Sequence, residues 1–209
     1  AGTGPRRALG QNFVVDPNTI RRIVRLAGVQ PGDLVVEVGP GLGSLTLGLL
    51  EAGARVLAVE KDRDLARSLV DRLRPAVDRG DLRVVEGDAL ERSWVQQLDG
   101  PAAMVANLPY NVATTIVIDV LDHVPEVTRL LVMVQKEVAD RMAAGPGDPA
   151  HGLPSVRIAR RGRARRVGVI GPDVFWPKPR VDSALVEVVR HPDAPELDPA
   201  EEATFVELS

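Results

Sequence analysis

The chain has 209 residues, of which 44% are hydrophobic and 26% charged, and its formal net charge is -3. Such a composition is that of an ordinary globular protein able to bury one good core with a small appendage. The absence of cysteine excludes disulfides, thiolate metal sites and cysteine nucleophiles, and no apolar run approaches the roughly 20 residues needed to cross a bilayer. With no apolar signal region behind Ala1 to Arg7, the expectation is a cytoplasmic chain with no membrane partner.

In chain order, the first well-marked element is a helix that Asp16 can cap, with Pro17 in its first turn and Gly28 at its stop. Ile20, Ile23, Val24 and Ala27 follow the helical repeat and face a core, so Arg21, Arg22 and Arg25 point largely away from it. Leu34 to Val38 reads as a buried strand that runs into G-P-G-L-G, with a helix expected from Ser44 to about Ala52. Arg55 to Val59 is a second strand ending at Glu60, Asp64 to Leu73 a helix, and Arg83 to Glu86 a third strand leading into G-D-A-L. Ala102 to Ala106 is the fourth strand, Val112 to Asp122 a helix, Leu130 to Val134 a fifth strand and Lys136 to Ala144 another helix. This alternation predicts an α/β fold with a mostly parallel, doubly wound sheet and right-handed crossovers.

Gly145 to Gly152 reads as a loop, and beyond it the alternation stops. Val167 to Ile170 and Ala184 to Val189 are short apolar runs that suit an antiparallel pair at the sheet edge. Before them lie six arginines between 157 and 166, a run that reads equally as a nucleic-acid contact and as a solvated face. Residues 1–190 are expected to form one domain, with 1–28 its N-terminal segment, and 191–209 a proline-rich, acidic linker leading into the start of another helix at 199–209.

Four short stretches point to chemistry. Glu37 to Gly43 reads E-V-G-P-G-L-G between a strand and a helix, where glycines admit a ligand close to backbone and a helix N-terminus offers unpaired N–H groups. Its G-x-G-x-G spacing is one residue short of the dinucleotide fingerprint, which counts against a nicotinamide-dependent oxidoreductase. Glu60, about 20 residues on, stands where an acidic residue commonly holds ribose hydroxyls, although it also opens a solvated E-K-D-R-D run. Asp88 suits an acceptor for an adenine amino group and equally a helix cap. Finally N-L-P-Y leaves the fourth strand; it is either a plain turn or a set of ligand groups at a strand tip. His123, His151 and His191 form no ligand spacing, so no metal is expected.

In combination, Q-N-F, E-V-G-P-G-L-G-S-L-T, V-E, G-D-A-L, N-L-P-Y-N and F-W-P-K-P-R-V-D-S resemble the KsgA family of S-adenosylmethionine-dependent rRNA adenine N6-dimethyltransferases, relatives of the Erm enzymes. The resemblance implies a Rossmann-like class I methyltransferase with an antiparallel edge strand and S-adenosyl-L-methionine as cofactor. It places Asn12, Val14, Gly39, Gly41, Glu60, Asp88 and Asn107 around that cofactor. For chemistry it implies Asn107, Leu108, Pro109 and Tyr110, with Phe175 as a second aromatic wall for an extruded adenine, unless Phe175 is a core residue. It further implies dimethylation of two adjacent adenines near the 3′ end of small-subunit (16S) rRNA, a pre-30S particle as partner, and a monomer. An Erm-like enzyme of the large subunit and an assembly factor acting by binding are the alternatives. Phosphate contacts are expected from Arg21, Arg22, Arg25, Arg161 and Arg163, gathered around the mouth that holds Asn107.

Overall fold

The structure is a computed structural model that describes residues 12–193; the expected helix at 199–209 lies outside them. Its centre is a seven-stranded sheet built from Leu34–Val38 (β2), Arg55–Glu60 (β3), Leu82–Glu86 (β4), Ala102–Asn107 (β5), Val127–Gln135 (β6), Gly162–Ile170 (β7) and Ser183–Arg190 (β9). The order is β4-β3-β2-β5-β6-β9-β7. The first five strands are mutually parallel, whereas β9 runs antiparallel to both β6 and β7. The expected antiparallel pair is therefore present, with β9 inside it and β7 at the edge.

Helices cover both faces because the buried strands are apolar on both sides, as Val35, Val36, Leu57, Ala58, Val105 and Leu131 are. One face carries Pro17–Ala27 (α1) and Ser44–Glu51 (α2) and the other Ala113–His123 (α5), each burying its apolar side in a separate core cluster. The Asp16 carboxylate caps α1 by accepting from Thr19 N, and Asp62 caps Arg63–Arg72 (α3) by accepting from Asp64 N and Leu65 N. A two-residue ribbon pairs Phe13–Val14 (β1) with Phe175–Trp176 (β8), tying the entry of α1 to the segment before β9. The chain reverses direction across the sheet between β2 and β5. In open α/β sheets, ligands bind at the carboxyl ends of the strands flanking that switch point.

The arginine run is where the structure departs most from expectation. Leu153–Arg161 is a helix (α7), and β7 begins at Gly162, so the run straddles a helix and an edge strand. Asp122, near the carboxyl end of α5, receives Arg157 at 2.7 Å and Arg161 at 2.9 Å. Arg165 meets Glu187, and Arg166 meets Asp140 on Lys136–Ala143 (α6) at 2.6 Å. Arg161 is 5% exposed. The expectation of a phosphate contact from Arg161 is corrected accordingly, since its guanidinium is withdrawn from solvent and held by a buried carboxylate. Arg163 is exposed, but it pairs with Val189, which pairs with Arg129, itself opposite Ala103. That row lies four residues below Asn107, so Arg163 stands away from the mouth, whereas Arg166, level with Ala106, lies nearer to it and is held by Asp140. The hydrophobic alternation could not show this, because the carboxylates that balance the charges come from other elements.

Candidate active site

The cleft opens over the carboxyl tips of β2 and β5. Its walls include Asn12, Val14, Glu37, Gly39, Gly41, Glu60, Asp88, Asn107, Leu108 and Pro109, so every residue expected around the cofactor shares one cavity. Gly39 and Gly41 have φ of 69° and 56°, a left-handed backbone that favours glycine. At Gly41 packing adds a second demand. A Cβ there would lie 2.4 Å from Phe13 Cε1, so the ring of Phe13 closes directly over the loop. Across the cleft a Cβ on Gly39 would come within 3.8 Å of Pro109 Cδ. Gly41→Ala should therefore strain the turn and push Phe13 outward, weakening cofactor binding by about 1–3 kcal/mol; titration calorimetry on the folded variant measures it.

Glu60 is buried rather than lying on an exposed strand end. Its Oε2 accepts from Gly41 N at 3.0 Å and its Oε1 from Asp62 N at 2.9 Å. Burial raises its pKa, opposed by the N–H groups of Asp62 and Gly41. Each carboxylate oxygen can accept more than one hydrogen bond, so the side chain can tie the glycine loop and still receive ribose hydroxyls. Glu60→Ala should cost about 1–3 kcal/mol of cofactor affinity and also loosen the loop; an unchanged calorimetric affinity would remove Glu60 from the site.

Asp88 is a cap, and it also lines the cleft. Its Oδ1 accepts from Leu90 N at 3.0 Å, capping a short 3-10 turn, and its Oδ2 takes the Lys61 ammonium at 2.7 Å on the cleft rim. The Lys61 hydrogen bond holds this carboxyl below its ordinary range. An adenine amino group reaching Asp88 would have to share it with an exposed lysine.

Asn107 ends β5. Its Nδ2 donates to the Asn12 carbonyl at 2.7 Å, and committing the nitrogen there fixes which way the amide faces and leaves Oδ1 as the acceptor. Leu108 N donates to Met133 O at 3.1 Å, anchoring the turn to β6. Tyr110 is half-buried, with its Oη 2.7 Å from Ser183 Oγ at the start of β9. Phe175 is different. At 4% exposure it packs in the core cluster with Val14 and Ile20, which corrects the expectation of an open aromatic wall and upholds its reading as a core residue.

Two wall residues escaped the sequence reading. Phe13, which no local signal marks as more than an apolar residue, roofs Gly41 with its ring. Glu37 went unassigned; it is 1% exposed, and its Oε2 accepts from Thr46 Oγ1 at 2.6 Å. Both lay inside quoted motifs, Q-N-F and E-V-G…S-L-T, and only their partners were missing.

Residues 3–207 match the family model described as ribosomal RNA adenine dimethylase. The chain belongs to that family. It is 52% identical over 207 residues to the ribosomal RNA small subunit methyltransferase A of Leifsonia xyli, covering 98% of this chain and 73% of that one. Against the protein of the same name from Streptomyces coelicolor, identity is 54% over 195 residues, covering 90% and 66%. The chain thus spans about two thirds to three quarters of the length of these relatives. Among solved structures, the 23S rRNA methyltransferase ErmE superposes with a TM-score of 0.73 at 27% identity, covering 94% of this chain and 76% of that one. The seven-stranded sheet is that of a class I, adenosylmethionine-dependent methyltransferase. No helix among the described residues is long and apolar enough to cross a membrane.

The residues present fit such a cofactor. The cleft wall holds the buried acidic side chain of Glu60, which keeps acceptor capacity for ribose hydroxyls, beside a glycine turn that leaves backbone accessible to the methionine portion.

Proposed function

We propose that this chain is the catalytic part of an enzyme that dimethylates N6 of two adjacent adenines near the 3′ end of small-subunit rRNA, acting on a pre-30S particle. The observation that carries the reading is the Asn107 amide, which lines the cleft with Gly39 and Glu60 and whose Nδ2 is committed to the Asn12 carbonyl, leaving Oδ1 as the acceptor. The names of the two curated relatives support the small subunit as the source of the RNA.

When bound, S-adenosylmethionine supplies a methyl group already activated as an electrophile. The chain's task is to make a poor nucleophile adequate and to align it. The lone pair of adenine N6 is delocalised into the ring. Asn107 Oδ1 and the Leu108 carbonyl accept the two amino hydrogens and help localise that pair on nitrogen. Pro109 stiffens the turn, and Leu108 N fixes it to β6, so the acceptors stay in place. An adenine within a duplex cannot reach a cleft at strand tips, so the base must leave its stack. Stacking on that base is assigned to the ring of Tyr110, which follows Pro109 of the cleft wall and whose hydroxyl is held by Ser183. Positioning then supplies most of the rate, with no strongly basic side chain required.

Arg21, Arg22 and Arg25 supply phosphate contacts that position the RNA without specifying it. They ride on α1, which starts three residues after Val14 of the cleft wall; Arg21 and Arg25 are exposed, and Arg22 donates to Val169 O at 3.3 Å. A second reading, methylation of large-subunit rRNA, draws on the likeness to ErmE. Incubation with labelled adenosylmethionine and purified small- or large-subunit particles, with mapping of the modified base, decides between them. Label on adjacent small-subunit adenines is the expected result, and label confined to the large subunit overturns it.

A further inference from the structure

The segment F-W-P-K-P-R-V-D-S is fastened at both ends of the site. At one end Phe175 is buried and pairs with Val14; at the other Ser183 meets Tyr110, and the Asp182 carbonyl accepts from Lys136 N at 2.9 Å. Between these anchors Trp176, Lys178, Arg180, Val181 and Asp182 are exposed and Pro177 and Pro179 half-buried. Two prolines restrict the backbone that carries them. The result is a stiff strip bearing one indole and two cations.

Trp176 is 51% exposed, in contrast with Trp94, which is fully buried and donates through Nε1 to Ala89 O at 2.9 Å. Tryptophan carries a large apolar face with a polar N–H, and an exposed one suits an interface. Its place in the fold suggests which. Trp176 pairs directly with Phe13, the roof of Gly41, and the residue before Phe13 is Asn12, whose carbonyl holds the Asn107 amide. Paired Cα atoms lie about 5 Å apart, so Trp176 stands on the strand next to the one that leads from the Asn107 anchor, and it is not among the residues lining the cleft.

We propose that Trp176 is a stacking platform for an unpaired base flanking the target adenine, with Lys178 and Arg180 receiving the adjoining phosphates. The proposal rests on the rRNA reading above. Once the target base is extruded, its neighbours lose a stacking partner, and aromatic faces bind such bases with little regard to identity. Cations interleaved with the aromatic suit a polyanion and would find no partner on an apolar or basic protein surface. Among the described residues, the ion pair from Lys178 Nζ to Asp173 Oδ1 at 2.5 Å is exposed on both sides. Such a pair is weak enough for a phosphate to replace the carboxylate.

The chain's two tryptophans make the test direct. With Trp94 shielded, acrylamide quenching of intrinsic fluorescence reports on Trp176. Adding an unpaired oligoribonucleotide that contains two adjacent adenines should change the emission and protect it from acrylamide. Trp176→Ala should weaken RNA binding roughly 5- to 150-fold, with adenosylmethionine affinity and the salt slope unchanged, because a stacking residue neutralises no phosphate. Trp176→Phe should recover most of the loss, whereas reversing Lys178 and Arg180 to Glu should flatten the salt slope. The platform is overturned if Trp176→Ala binds RNA as the wild type does, if bound RNA leaves acrylamide access unchanged, or if lipid vesicles shield the indole and RNA does not. Failure of the underlying reading looks different: the wild type would then transfer no methyl group to rRNA adenines, whatever residue stands at 176.

Discussion

Asn107→Ala is expected to lower methyl transfer by about 10²- to 10³-fold, the range seen when one preorganised hydrogen-bonding group is removed from a transition state. RNA and cofactor affinities should change far less. The amino hydrogens of adenine become more acidic as N6 bonds to carbon, so an acceptor facing them gains strength along the reaction coordinate. A group that acts mainly there lowers turnover more than ground-state binding. Because Asn107 Nδ2 also donates to the Asn12 carbonyl, the variant needs a melting curve to show that the β1 ribbon still closes on Gly41. Single-turnover transfer at saturating RNA and cofactor, set beside the two binding constants, isolates the chemical step. Wild-type turnover in a folded Asn107→Ala protein would sink the mechanism.

What the sequence disclosed and what it withheld follow from the range of the interactions involved. The five parallel strands and their helices were legible because each announces itself by a local apolar run closed by Gly, Pro or a capping carboxylate. The glycine loop, Glu60 and Asn107 were legible for a related reason, since the topology puts the tips of β2, β3 and β5 side by side once the alternation is recognised. The arginine run was misread because its partners are remote: Asp122 stands 35 and 39 positions from Arg157 and Arg161, and Asp140 stands 26 from Arg166. A charge run reads as a face until those carboxylates are placed. The β1–β8 ribbon has only two residues in each strand, too few for any periodicity, yet it decides that Phe175 points inward and Trp176 outward. Glu60 looked exposed because charged neighbours surround it in sequence, while in space the backbone of Gly41 and Asp62 encloses it.

Stability of the ligand-free chain should fall as pH rises from about 4.5 to about 8, and Glu37 is the group responsible. Burial pushes its carboxyl up from 4.5 to about 8, reinforced by the nearby Glu60 carboxylate and opposed by the Thr46 hydroxyl. In the unfolded chain the same group titrates near its ordinary value. Between the two pKa values the folded state holds a proton that the unfolded state has released, so each step up in pH favours unfolding. The contribution is complete below about 4.5 and gone above about 8, and a shift of this size carries on the order of 5 kcal/mol. Glu37→Gln supplies the control. The amide stays neutral at every pH, resembles the protonated acid and can still accept from Thr46, so its urea midpoint should change little over the interval where the wild type declines. Near pH 5 the two proteins should be of similar stability, and above pH 8 the glutamine variant should be the more stable. Parallel midpoint curves would mean that Glu37 is ionised in the fold, with its charge compensated by a group other than Thr46. A wild type that gains stability toward pH 8 while the variant stays flat would reverse the sign and refute the assignment outright.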